Sequence, residues 1–153
     1  MARSVAQVTY RSDEVFTDRF SRELVDPRSL YDLWDRFQVE SYLDYHGAKL
    51  ARRFDANSYM VLNRSMDLHD IGRDRGSLES AVSRFLSVPV MTLSIDSDML
   101  YPVHQQVSLR DVVVAAGGRC DHHVIASPDG HDGFLLATHE VGVHLADFLR
   151  EVE

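Results

Sequence analysis

Side chains at Val39, Leu43, His46, Leu50 and Phe54 recur at three- and four-residue intervals through VESYLDYHGAKLARRF. That is the period of a helix with one inward face, so the stretch predicts an amphipathic helix. Asp55 is a fit N-cap for a second helix through SYMVLNRSM, with Tyr59, Leu62 and Met66 along one stripe. The chain up to about Met66 therefore reads as mostly helical. The stretch HDIGRDRG, from His69 to Gly76, has no apolar period and reads as a loop. After it, Ser77 caps a short helix whose Leu78, Ala81, Val82 and Phe85 point one way. VPVMTLSI is a short apolar, β-branched run that suits a strand buried on both faces. A helix from about Val103 to Ala116 is stopped by Gly117-Gly118, a second strand lies around Cys120 to Ala126, and a last helix carries Val141, Leu145, Phe148 and Val152 on one side.

Strand, helix, strand, helix from Val88 onward is the order of a parallel α/β sheet with right-handed crossovers. Two strands are too few to stand alone as a parallel sheet, so this part reads as the end of a larger sheet, preceded by a helical insertion. The division falls at residues 1–76 and 77–153. A length of 153 residues with 44% hydrophobic and 26% charged side chains is that of one ordinary globular unit. The charge, 16 − 24 = −8, argues against a protein that grips nucleic-acid phosphates by bulk electrostatics. A single cysteine excludes an intramolecular disulfide, and no apolar run approaches the roughly 20 residues needed to cross a bilayer. The opening MARSVAQVTY carries no apolar signal block, so a soluble protein of the reducing cytoplasm is expected.

In an open α/β sheet, ligands gather beyond the carboxyl ends of the strands, where the loops SDMLYP and SPDGHDGFL fall here. Asp98 and His131, one crossover unit apart, would meet there as an orienting acid and a general base. The same residues also fit a blander reading, with Asp98 capping the next helix and His131 a polar turn residue. Asp96 lies where the strand should still be running and reads as a strand-end polar residue. Cys120, Asp121, His122 and His123 look like metal ligands on paper, but neighbours on a strand point to opposite faces and cannot converge, so no metal is expected. Cys120 reads as a small buried side chain, and His139 and His144 as surface residues.

The segments ARSVAQVTYRS, VESYLDYHGAKLARRFDANSYMVLNRSMDLHDIGR, IDSDMLYP and SPDGHDGFL together resemble the homoserine O-acetyltransferase family. The resemblance covers nearly the whole chain. It implies the C-terminal half of an α/β-hydrolase fold, with part of a helical lid followed by the last parallel strands. It places the triad acid of the family's S-D-x-L-Y-P motif on Asp98 and the triad base of its G-H-D-x-F-L motif on His131. The family's substrate-reaching Arg falls on Arg3 and its Tyr on Tyr10, and Asp132 would face the substrate's ammonium group. An Arg fork suits a carboxylate because it donates two parallel hydrogen bonds. Two departures from the family pattern are DGHDG, where an aromatic residue commonly precedes Gly-His, and HDIGRDRGS, where the family is richer in glycine.

No G-x-S-x-G or G-G-S-x-G-G elbow occurs in these 153 residues, and Ser127, the serine nearest His131 in sequence, does not sit on a strand-turn-helix elbow. The resemblance therefore implies a C-terminal fragment that carries the triad Asp and His without the Ser. The intact enzyme would use acyl-CoA and L-homoserine as substrates, with no further cofactor, and would form a homodimer through the lid. The acyl group is acetyl or succinyl. The alternatives are a fragment of an esterase of the same fold and a non-catalytic dimerisation remnant.

Overall fold

In a computed structural model that describes residues 1–152, helices α1 (Ala2–Tyr10) and α2 (Asp13–Phe20) join at Ser12, whose hydroxyl caps α2 by accepting the Val15 N–H at 3.2 Å. A loop with one 3-10 turn and a single antiparallel bridge, Leu24 to Phe37, leads into α3 (Gln38–Arg53). The Glu40 carboxylate accepts the Phe37 N–H at 2.7 Å and starts this helix at its predicted place. Helix α4 (Ala56–Asp67) begins at Asp55, which accepts the Ser58 N–H at 2.8 Å as the sequence pattern required. Helices α1 and α3 are tied by Gln7 Nε2 donating to the Tyr42 hydroxyl at 2.8 Å and by Ser4 Oγ donating to the Leu43 carbonyl at 3.2 Å. Around Tyr42, Phe16 and Phe20 pack their rings at 6.2 and 4.9 Å, and the Arg19 guanidinium lies 4.7 Å from the Tyr42 ring centre.

The stripe expected to bury α4 behaves differently. Tyr59 is half-buried with its ring 6.4 Å from that of Phe54, but Leu62 and Met66 are 53% and 61% exposed, so most of the stripe is left open among the described residues. Periodicity identified the helix correctly, because the period reports which side is apolar and says nothing about what lies against it.

The α/β part follows the predicted order. Helix α5 (Leu78–Val82), capped by Ser77, precedes strand β1 (Val90–Ile95), and α6 (Val103–Ala115) crosses to strand β2 (Cys120–Ile125). The strands pair in parallel, with Val90 opposite Cys120 and Ile95 opposite Ile125. Helix α6 ends in a Schellman turn: Gly118 N–H reaches the Val113 carbonyl at 3.0 Å and Gly117 N–H the Val114 carbonyl at 2.9 Å. Gly117 sits at φ +90°, where a side chain would be strained. On one sheet face Val82, Val113 and Cys120 are buried with Phe85, Leu86, Val90, Val112 and Ala116 around them. The other face receives α7 (Gly133–Leu136) and α8 (Thr138–Val152).

Two sequence readings change here. Leu145, expected on the packed stripe of α8, is 45% exposed, while His144, expected at the surface, is half-buried and stacks its ring on His123 at 4.3 Å. Helical spacing allows both positions to face the strand, and the flat ring of His123 selects the imidazole. Strand β1 is not buried throughout either; Val90, Met91 and Leu93 are half-buried, and β1 is hydrogen-bonded to β2 alone among the described strands.

Val82 is 0% exposed at the centre of the cluster, so Val82→Ala should cost about 2 kcal/mol in urea denaturation. Burial, and after it the charge of Arg110, pushes the His122 imidazole below its ordinary value, while Thr92 Oγ1 holds its Nδ1 at 2.8 Å. A base with a depressed folded value leaves the extra proton to the unfolded chain, so its contribution is intact above about pH 6.5 and is lost as pH falls through the folded value. His46 is depressed in the same direction, chiefly by burial. His122→Gln should therefore reduce, without abolishing, the fall in melting temperature on acidification below about pH 6.5.

Candidate active site

Strand β1 ends at Ile95, whose carbonyl accepts the Asp98 N–H at 3.1 Å, and this turn brings the Asp98 carboxylate back over the strand end. Its Oδ1 accepts the N–H groups of Leu100 at 2.8 Å and Tyr101 at 2.9 Å. Its Oδ2 lies 2.9 Å from His131 Nδ1. A side chain held by two backbone donors cannot swing, so Asp98, 9% exposed, presents one oxygen to the ring in a fixed direction. An ionised carboxylate only accepts, so a neutral imidazole set against it carries its proton on Nδ1 and has the Nε2 lone pair free. Asp98 therefore does not cap α6, whose N-cap position falls on Pro102 without a side-chain cap; it closes the turn ahead of that helix and faces His131.

The loop after β2 is fastened to the loop after β1. Asp96 Oδ1 accepts the Ser127 N–H at 3.0 Å, which gives Asp96 the strand-end role expected of it. Ser97 Oγ donates to the Ser127 carbonyl and accepts the Gly130 N–H at 2.9 Å. Ser127 turns its hydroxyl to the Asp129 N–H at 3.3 Å and so serves the loop. Gly130 has φ +64°, and a Cβ there would lie 2.9 Å from Arg11 C, Ser12 N and Tyr10 O. His131 then occupies a 3-10 turn, Gly130–Asp132, with the rings of Tyr101, Phe134 and Tyr10 centred 5.2, 5.4 and 5.7 Å away.

Of the residues carried over for substrate contact, Arg3 and Tyr10 come together on α1. The Arg3 guanidinium lies 4.7 Å from the Tyr10 ring centre, so Tyr10 lies in contact range of both Arg3 and His131. Asp132 also lies beside this turn, but its carboxylate does not face open space alone. Its Oδ2 is 3.1 Å from Arg11 Nε, an ion pair whose angle is too bent for a good hydrogen bond, and Arg11 Nη1 donates to Asp129 Oδ1 at 2.8 Å. Arg11 was not singled out from the sequence. Its only sequence signal was its place in TYRS beside Tyr10, whereas the acids it serves lie 118 positions or more away. Carboxylates outnumber cations around His131, with Asp98, Asp129 and Asp132 set against Arg11 and Arg3. Such a surround favours a cationic group on a bound molecule. Cys120, His122 and His123 go separate ways: to the core cluster, to Thr92 and to α8.

No family model matches the chain. It is, however, 40% identical over 152 residues, 99% of its length, to a homoserine O-acetyltransferase of Moorella thermoacetica, and 42% identical over 151 residues to one of Thermobifida fusca. The chain spans about two fifths of the length of these relatives, 40% and 38%. Among solved structures, the homoserine O-acetyltransferase of Bacillus anthracis superposes with a TM-score of 0.78 at 20% identity, over 90% of this chain and 37% of that one. Esterase E22 superposes with a TM-score of 0.80 at 15% identity, over 95% of this chain and 40% of that one. The chain is thus related in sequence to homoserine O-acetyltransferases from end to end, and its fold is a portion of the α/β-hydrolase fold.

Gly130→Ala should test how tightly the His131 turn is held. The methyl group meets three backbone atoms of the Tyr10 to Ser12 stretch at a positive φ, so the variant should lose about 1 to 3 kcal/mol in denaturation. Nuclear Overhauser contacts between the His131 and Tyr101 rings should weaken with it.

Proposed function

We propose that this chain is the C-terminal portion of a homoserine O-acetyltransferase, supplying the acid and base of a catalytic triad whose serine lies in a separate segment. The observation that carries the reading is the bond from His131 Nδ1 to an Asp98 carboxylate already anchored by two backbone N–H groups. In that role Nε2 of His131 takes the proton of the serine hydroxyl as the serine oxygen attacks the thioester carbonyl of acetyl-CoA. The proton then passes to the departing CoA sulfur, leaving an acyl-serine. In the second half, Nε2 takes the proton of the homoserine hydroxyl, whose oxygen attacks the acyl carbon, and returns it to the serine as O-acetylhomoserine leaves. Asp98 keeps the ring in the tautomer that accepts at Nε2 and stabilises the imidazolium in each half.

Arg3 and Tyr10 on α1, and Asp132 beside His131, are the residues for the amino-acid substrate. Arg3 answers the homoserine carboxylate with its fork, and the free Oδ1 of Asp132 answers the ammonium. The acyl donor is the only further small molecule this chemistry requires. The same reading makes the enzyme cytoplasmic and a homodimer whose contact lies on the helical part, where Met60, Leu62 and Met66 of α4 are exposed. A second reading, an esterase, has the likeness to esterase E22 in its favour. It differs in the acceptor, because water would then release the acyl group without homoserine.

Release of CoA from acetyl-CoA, followed with a thiol reagent, separates these readings. The 153-residue chain alone should give no homoserine-dependent turnover, since it holds no serine elbow. Mixing it with the complementary N-terminal segment of a homoserine O-acetyltransferase should produce turnover that requires homoserine, and His131→Ala should reduce that turnover by about a thousandfold or more. Turnover independent of homoserine would favour the esterase. Robust homoserine-dependent turnover by the chain alone would contradict the proposal.

A further inference from the structure

His131 lies between two acids, Asp129 and Asp132, and a single guanidinium from a distant part of the chain reaches both. Arg11 stands between α1 and α2, with a side chain 20% exposed; its partners Asp129 and Asp132 are 29% and 24% exposed. The two edges of the fork are divided between the two flanks of the histidine: Nη1 lies 2.8 Å from Asp129 Oδ1 and Nε 3.1 Å from Asp132 Oδ2. A lysine ammonium, a single point of charge, could not cover both positions in the same way. The neighbouring contacts are uncharged. Ser12 Oγ donates to the Pro128 carbonyl, and Gly130 packs its bare Cα against the backbone of Tyr10 to Ser12. Arg11 is therefore the one cation among the contacts that segment 10–12 makes to the loop carrying His131.

The oxygens it leaves over are informative. Asp129 has its second oxygen, Oδ2, 3.5 Å from the Ser127 hydroxyl, so this acid is used within the loop. Asp132 has Oδ2 facing Arg11 and makes no hydrogen bond through Oδ1 among the described residues. We propose that Arg11 is a positioning residue, acting through Asp129 and Asp132 to set the pitch of the His131 turn and to hold the free Oδ1 of Asp132 toward the ammonium group of the acceptor substrate. The substrate part of this assignment rests on the acyltransfer reading above; the positioning of the turn does not. Without the guanidinium, two like charges would flank His131 with no counter-charge between them, and the acceptor's ammonium would meet an Asp132 carboxylate free to rotate.

The experiment has two readouts. In the 153-residue chain, the Arg11 Nη signals should be separate in nitrogen-15 spectra, as for a guanidinium whose rotation is hindered. Asp129→Asn and Asp132→Asn should each bring the signals toward those of a free arginine. Arg11→Gln should raise the exchange rate of the His131 backbone amide about tenfold, and Arg11→Lys should fall between the two. In the enzyme reconstituted with its complementary segment, Arg11→Gln should raise KM for homoserine by about tenfold and leave KM for acetyl-CoA unchanged. Unhindered Arg11 signals in the unsubstituted chain would overturn the proposal, and this measurement stands even where the variants do not fold. An Arg11→Gln chain with unchanged His131 exchange, or an enzyme in which both KM values rise together, would overturn it as well. Absence of homoserine-dependent turnover in every reconstituted form, with the Arg11 and His131 signals behaving as described, would instead strike at the acyltransfer reading and leave the positioning of the turn in place.

Discussion

The bond between His131 Nδ1 and Asp98 Oδ2, 2.9 Å long and spanning 33 positions of sequence, sets what the rest of the structure must do. It can form only if two strands end level and their following loops turn to the same side. The parallel register, with Ile95 opposite Ile125, meets the first condition, and the crossover through α6 brings β2 beside β1 to make that register possible. The second is met by short polar links: Asp96 to Ser127, and Ser97 to Ser127 and Gly130. Together they fasten the two loops so that the Asp–His bond is the outcome of backbone geometry rather than of two flexible side chains finding each other.

A third region enters through the helical part. The junction of α1 and α2 lies against the His131 turn, bringing Arg11 and Ser12 to the loop and Tyr10 to the ring. Positive charge from this junction answers the acids flanking His131, and the tight contact at Gly130 admits no side chain. The helices thus do more than cover the site. They provide part of its wall and its main counter-charge, which is how a segment of helices comes to shape a loop at a strand end.

What could be read from the sequence was what is local. Asp55 and Ser77 cap helices in place, the Gly117-Gly118 pair closes α6, and the β-branched run before Asp98 forms β1, because caps, turns and strand composition act over a few residues. The places of Asp98 and His131 were legible for a related reason, since each lies in the short loop that follows a strand. Arg11 was not, because nothing near it in sequence needs a cation; its partners lie in a loop that only tertiary packing brings close. Nor was the stacking of His144 on His123, which depends on how α8 rolls on β2. The exposed stripe of α4 shows the converse limit: a period announces an apolar face, and its cover can lie outside the stretch in which the period is read.

The central claim is that Asp98 holds His131 as a base whose Nε2 is free. Long-range nitrogen-15 NMR of the imidazole in the 153-residue chain tests it most directly. The neutral ring should show Nδ1 protonated and Nε2 bare, with a strongly downfield Nδ1 proton that is lost in Asp98→Asn. A neutral ring with its proton on Nε2, or spectra unaltered by Asp98→Asn, would contradict the account.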